Sequence, residues 1–167
     1  ALARQFVLNN ANVIIADTRD IAGGTTAWST RLIHGGLRYL EYGEFDLVRE
    51  SLAERNRLAK IASHLVKPLR FAIPLRQRRG GMLAAAARIL GWESMANRLA
   101  STQGRGRWAV GIGLTLYDMF SRNPAWPAHA MNRSRSSGLP RVDKKRFPWM
   151  ATYFDAQCIF PERLTVE

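Results

Sequence analysis

Val13-Ile-Ile-Ala-Asp17 is an uninterrupted apolar run closed by an acid, which is how a parallel strand buried on both faces reads. Upstream, Ala1-Leu-Ala-Arg-Gln-Phe-Val reads as a helix over residues 1–10, broken at Asn9-Asn-Ala-Asn12. Helix, short turn, apolar strand and terminal acid form the second half of a βαβ unit, so the expected fold class is α/β. In dinucleotide-binding folds the acid ending this strand bonds ribose hydroxyls. Asp17 is equally suited to starting a turn, and spacing alone leaves both readings open. The glycine fingerprint expected before such a helix is absent and would fall just upstream of Ala1.

Beyond this run lies Ser29-Thr-Arg-Leu-Ile-His-Gly-Gly-Leu-Arg-Tyr-Leu-Glu41, which joins a cation, an imidazole, two adjacent glycines and an arginine-tyrosine pair. It follows a strand-like run, where α/β folds place ligand chemistry. Glycines at 35 and 36 let backbone approach a flat group closely. Taken alone, His34 is better explained by a buried, hydrogen-bonded role fixing the loop than by a role in chemistry.

The remaining chain is mostly scaffold. From Glu44 to Leu65, Val48, Leu52, Ala59, Ala62 and Leu65 recur at helical spacing, with Phe45 and Leu58 beside them; Arg49, Glu50, Glu54, Arg55 and Lys60 are expected on the opposite, solvated face. Pro68 ends that register, and Leu69–Ile73 reads as a short strand. Residues 75–107 carry seven arginines against one acid, Glu93, around an alanine-rich apolar helix, Met82 to Trp92. This is either a solvated basic face or a membrane-surface element. Val110 to Asp118 contains glycines but lacks phosphate-loop spacing, so a glycine-tolerant packed helix is expected. Ser121 to Pro148 has connector composition, and Tyr153 to Phe160 reads as a strand entering a helix at Pro161.

The net charge of +12 points to an anionic partner. The arginines are not interleaved with a nucleic-acid recognition fold, so nucleic acid is not expected. A single cysteine, Cys158, excludes an internal disulfide and leaves no metal cluster. No apolar run approaches the roughly 20 residues of a membrane span. Both ends read as cut, because the first helix lacks an N-cap and Glu162–Glu167 looks like the opening of another helix.

The motifs Asp17-Thr-Arg-Asp-Ile-Ala-Gly-Gly-Thr-Thr26 and Ser29 to Glu41 closely resemble the flavin-dependent glycerol-3-phosphate dehydrogenases. The similarity continues in order through Glu44–Glu50, Ala53-Glu-Arg55, Ala62–Leu65, Pro68–Phe71, Gly113–Asp118 and Tyr153-Phe-Asp155. The resemblance implies a fragment of a two-domain, amino-acid-oxidase-like FAD fold of Rossmann type. On that reading residues 1–65 are part of the FAD-binding domain. Residues 66–167 are part of the substrate or cap domain, with an arginine-rich helical insertion at about 76–107.

It further implies oxidation of sn-glycerol 3-phosphate to dihydroxyacetone phosphate, with electrons passed to quinone, in a cytoplasmic protein peripheral on the inner face of the membrane. Carried over by position, Asp17 corresponds to the ribose-binding acid, where glutamate is usual. Gly24, Thr25 and Thr26 correspond to the loop near the flavin, and Ser29, Thr30, Arg31, Leu32, Ile33, His34, Gly35 and Gly36 to the segment beneath the cofactor. Arg31 stands where lysine is usual, which keeps charge but not geometry. His34 and Arg38 are the expected catalytic residues, and no metal is expected. The family's substrate-phosphate cations and catalytic base are not in this sequence, so the fragment alone is expected to be inactive. An oxygen-reducing oxidase and a non-enzymatic basic module are the competing readings, and the oligomeric state is left open.

Overall fold

The computed structural model describes residues 2–76, 107–121, 126–134 and 138–167. The expected helix from Met82 to Trp92 lies outside them. The order of elements is α1 (Leu2–Leu8), β1 (Leu32–Ile33), a 3-10 helix (Leu37–Tyr42), α2 (Phe45–Ile61), β2 (Val66–Leu75), α3 (Arg107–Ser121), β3 (Ala130–Arg133), β4 (Trp149–Cys158) and α4 (Pro161–Val166).

The fold class is α/β, with an antiparallel sheet among the described residues. β4 is its centre. Along one side β4 pairs with β2 over ten residues, from Val66 opposite Cys158 to Leu75 opposite Trp149. Along the other it pairs with β3 at its start and with β1 near its end. Much of β4 is also covered on its faces, with Ala151 and Ala156 fully buried. Among the described residues β2 pairs on one side only, where the missing N–H of Pro68 and Pro74 need not interrupt a second ladder.

The 3-10 helix, α2 and α3 close over this sheet through a core of Leu40, Val48, Leu52 and Tyr117, continued by Leu75, Leu114 and Ala151. Aromatic rings join the elements. Phe45 of α2 meets Phe120 of α3 edge-on at 6.3 Å, and Tyr153 of β4 meets Tyr117 of α3 edge-on at 5.8 Å.

The structure departs from the sequence expectations at four places. Val13–Ala16 forms no strand, and Ile14 and Ile15 are 96% and 78% exposed. A strand apolar on both faces needs a packing layer over each, and the run finds none among the described residues. Arg55 lies on the buried face of α2, not the solvated one, at 1% exposure. It falls one heptad after Val48, on the same stripe. The strand expected at Leu69–Ile73 extends over Val66–Leu75, because β4 supplies a continuous partner. The expected connector from Ser121 to Pro148 contains β3, which forms on the free edge of β4 rather than from its own composition.

Candidate functional site

The segment from Arg31 to Tyr39 is shaped by backbone requirements. Arg31 takes a positive φ of 60°, and its carbonyl accepts a hydrogen bond from the Cys158 N–H at 2.8 Å. Leu32 and Ile33 then pair with β4 opposite Gln157 and Ala156. The chain leaves the sheet at His34 and turns through Gly36 in the left-handed region, at φ 69°. Gly36 caps the 3-10 helix, its carbonyl accepting from the Tyr39 N–H at 2.8 Å.

Beneath this turn lies a buried polar network. The Gly35 N–H donates to the Tyr117 hydroxyl at 2.9 Å, with Asp155 Oδ1 at 3.3 Å as a second acceptor. The Tyr117 hydroxyl donates to the Asp155 carboxylate, with its two oxygens at 2.7 and 2.9 Å. Arg55 Nη1 donates to Asp155 Oδ1 at 2.7 Å and to the Phe154 carbonyl at 3.2 Å. Its other nitrogens reach Ser121 Oγ and Asn56 Oδ1, and the guanidinium lies over the Trp126 ring at 4.5 Å.

Two buried opposite charges are tolerable only when their remaining donors and acceptors are satisfied. Among the described residues no buried side-chain nitrogen or oxygen lacks a partner. Burial, the Asp155 charge and the hydrogen bond to it push the Tyr117 hydroxyl far above the ordinary tyrosine range. Burial, followed by the Asp155 charge, raises Tyr153 to about 12. Tyr117 therefore stays protonated, which fixes the polarity of the chain: Gly35 N–H to Tyr117, and Tyr117 O–H to Asp155.

Above the network, His34, Arg38 and Tyr39 are exposed while Gly35 and Gly36 are buried. The turn thus presents an imidazole and a guanidinium outward from a backbone anchored inward. Ser29 and Thr30 are exposed hydroxyls, and Ser29 Oγ accepts from the Arg31 N–H at 3.3 Å. Arg31 points elsewhere: Nη1 donates to the Ile159 carbonyl at 3.2 Å, and Nη2 stands 3.8 Å from Glu162 at the start of α4. Leu32 and Ile33 are half-buried in the sheet.

Asp17, Gly24, Thr25 and Thr26 lie in a segment whose hydrogen bonds with described residues are local. Asp17 Oδ1 accepts from the Thr18 N–H at 2.6 Å, and the Thr26 carbonyl accepts from the Ser29 N–H at 3.3 Å. Thr26 is thereby joined to Ser29, whereas no hydrogen bond among the described residues joins Asp17 to the turn. Among the described residues there is no group of acids, histidines and cysteines able to hold a metal.

The sequence reading overlooked Arg55, Tyr117 and Asp155 as a unit. The signal was present: an arginine on the Val48–Leu52 stripe and an aspartate inside an apolar strand each require a buried opposite charge.

A flavin suits the donors available here. The His34 imidazole and Arg38 guanidinium are exposed on the turn after β1, and the Ser29 and Thr30 hydroxyls are exposed just before β1. The chain is 40% identical to a glycerol-3-phosphate dehydrogenase of Synechocystis over 99% of its length, covering 26% of that protein. It is 35% identical to a D-erythritol 1-phosphate dehydrogenase of Brucella abortus, over 88% of the chain and 22% of the relative. With the aerobic glycerol-3-phosphate dehydrogenase of Escherichia coli it shares 33% identity, over 81% of the chain and 22% of the relative. The chain therefore spans about a quarter of the length of these relatives. The family described as FAD dependent oxidoreductase matches residues 1–123, and the chain belongs to that family.

Proposed function

We propose that the complete protein oxidises sn-glycerol 3-phosphate to dihydroxyacetone phosphate with FAD and passes the electrons to quinone. The observation that carries this reading is the outward display of His34 and Arg38 on a turn pinned from beneath by Tyr117 and Asp155. When bound, FAD supplies the two-electron acceptor. His34 and Arg38 supply a hydrogen-bond donor and positive charge where negative charge develops, and the Arg38 guanidinium orients an anionic substrate. Ser29, Thr30 and the backbone through Gly36 hold the cofactor, Asp17 bonds its ribose, and the Gly24–Thr26 loop lines its approach. The division at residue 65 between a cofactor-binding part and a substrate-binding part belongs to the same proposal.

The D-erythritol 1-phosphate relative favours a second substrate, another polyol phosphate, at the same site. Anaerobic addition of each polyol phosphate to the full-length, flavin-loaded protein separates the two. Bleaching of the visible flavin bands by glycerol 3-phosphate at lower concentration than by erythritol 1-phosphate is the expected result; bleaching by neither removes the reading. Reoxidation of the bleached protein by a soluble quinone faster than by oxygen is expected, and the reverse order would assign an oxidase.

A basic face accompanies this site. Arg107 and Arg133 lie over Trp149 at 4.5 and 5.0 Å, and Arg76 and Arg146 lie over Phe147 at 5.7 and 5.4 Å. Beside them Trp108, Ile112, Met131 and Trp149 line an open apolar groove of about 590 Å³. Arginine beside interfacial aromatics suits an anionic lipid surface, which supports a peripheral position on the inner membrane face. The full-length protein is expected to sediment with phosphatidylglycerol vesicles and to be released by salt as charges are screened. Equal sedimentation with neutral vesicles would remove this part of the proposal.

A further inference from the structure

The buried network ends on one backbone N–H, that of Gly35, and not on a side chain of the site. The peptide joining His34 and Gly35 is trans and planar. Fixing its N–H therefore fixes its carbonyl, which points the opposite way, and with it the direction in which the chain departs from His34. The hydroxyl that receives this N–H is itself held by both oxygens of Asp155, and Asp155 is held by Arg55. Three chain segments far apart in sequence thus converge on a single peptide plane.

We propose that Tyr117, braced by Asp155, is a positioning residue for the flavin-facing turn. It sets the plane of the His34–Gly35 peptide and so the placement of the His34 imidazole toward the cofactor. The inference rests on the proposed flavin site but concerns a residue that makes no contact with the exposed surface of the turn.

Two features separate this role from packing alone. The Tyr117 ring is already accommodated by Leu40, Val48 and Leu52 and by the edge-on contact with Tyr153, so a phenylalanine would keep the packing. Only the hydroxyl reaches Gly35. Without it, the longer bond to Asp155 Oδ1 at 3.3 Å is left to hold the N–H alone, and the peptide plane loses the shorter of its two anchors. The second feature is Gly35 itself. A Cβ built there would lie 2.3 Å from Leu52 and 2.7 Å from the Tyr117 oxygen. The backbone is therefore already pressed onto the hydroxyl, with no side chain to spare it.

The test compares Tyr117→Phe with Leu114→Ala in the full-length, flavin-loaded protein. Leu114 is fully buried one turn earlier on α3, packs on Leu75 and Ala151, and has no polar group. Both variants are expected to lose thermal stability. Tyr117→Phe is expected to shift the visible flavin spectrum and the flavin midpoint potential. Its flavin reduction by glycerol 3-phosphate, measured per bound flavin, should slow by about ten- to a hundredfold, as for loss of residues that orient a site from behind. Leu114→Ala should keep the spectrum and potential of the parent protein and a reduction rate within about twofold.

A Tyr117→Phe protein with an unshifted spectrum, an unshifted potential and an unchanged rate would overturn the proposal and leave Tyr117 as core. If glycerol 3-phosphate fails to bleach even the parent protein, the substrate reading fails by itself. The spectrum and potential then still decide the positioning role, a shift confined to Tyr117→Phe supporting it and its absence overturning it.

Discussion

Gly35→Ala is expected to destabilise the full-length protein by about 3 kcal/mol, the upper part of the range for overpacking a filled core, and to abolish flavin retention. The added methyl would stand 2.3 and 2.5 Å from Leu52 and 2.7 Å from the Tyr117 hydroxyl. Neither neighbour is free to yield. Leu52 is fully buried on α2, and the Tyr117 hydroxyl is committed to Asp155. Gly24→Ala is the matched comparison, because a Cβ there meets nothing within 4 Å. It should leave the urea midpoint almost unchanged. Equal midpoints for the two variants would mean that the backbone at Gly35 is not pressed onto the core.

The second large effect concerns the ion pair under the turn. Arg55 and Asp155 are 1% and 2% exposed, with Nη1 and Oδ1 2.7 Å apart. Removing either charge leaves the other buried without its partner, which costs about 3–5 kcal/mol. Arg55→Met and Asp155→Leu are each expected to unfold at markedly lower denaturant. The two are not equivalent in consequence, because Asp155 also holds Tyr117 and, through it, Gly35, so its loss should additionally release flavin.

Combined, the substitutions should destabilise by clearly less than the sum of the singles, since the double variant buries no lone charge. A double-mutant cycle measures that difference directly. Strict additivity would show that the pair is not coupled, contrary to its geometry. Arg57 and Glu54, an exposed pair 3.7 Å apart on the outer face of the same helix, make a useful contrast. Breaking an exposed pair of this kind is worth about 0–1 kcal/mol.

How much of this was legible in the sequence depended on the range of the interaction. Local signals held. The periodicity of Val48 and Leu52 marks α2, the glycine-containing stretch at Val110 to Asp118 lies within a packed helix, and Pro161 opens α4. Gly36 sits where the turn needs a positive φ. What the sequence did not show was pairing across distance. Arg55 looked like one more solvated arginine because a charge on a helix is usually outside, and only the carboxylate 100 positions later moves it inward. β3 was hidden for the same reason, since four residues of ordinary composition become a strand when β4 offers them an edge. Val13–Ala16 fails in the opposite sense. Its local pattern is strongly strand-like, yet a pattern does not make a sheet without neighbours.

The position of β4 has a consequence for the order of assembly. It follows β1, β2 and β3 in sequence and is the strand that all three pair with among the described residues. During synthesis from the N-terminus, at about 5–20 residues per second, Arg55 and Tyr117 emerge well before the carboxylate that satisfies them. Until Asp155 leaves the ribosome, β2 has an open edge and the Gly35 N–H has no fixed acceptor. The turn after β1 is thus completed by a residue made more than a hundred positions later, and a nascent chain stopped before residue 155 would carry His34 and Arg38 without the support that holds their turn in place.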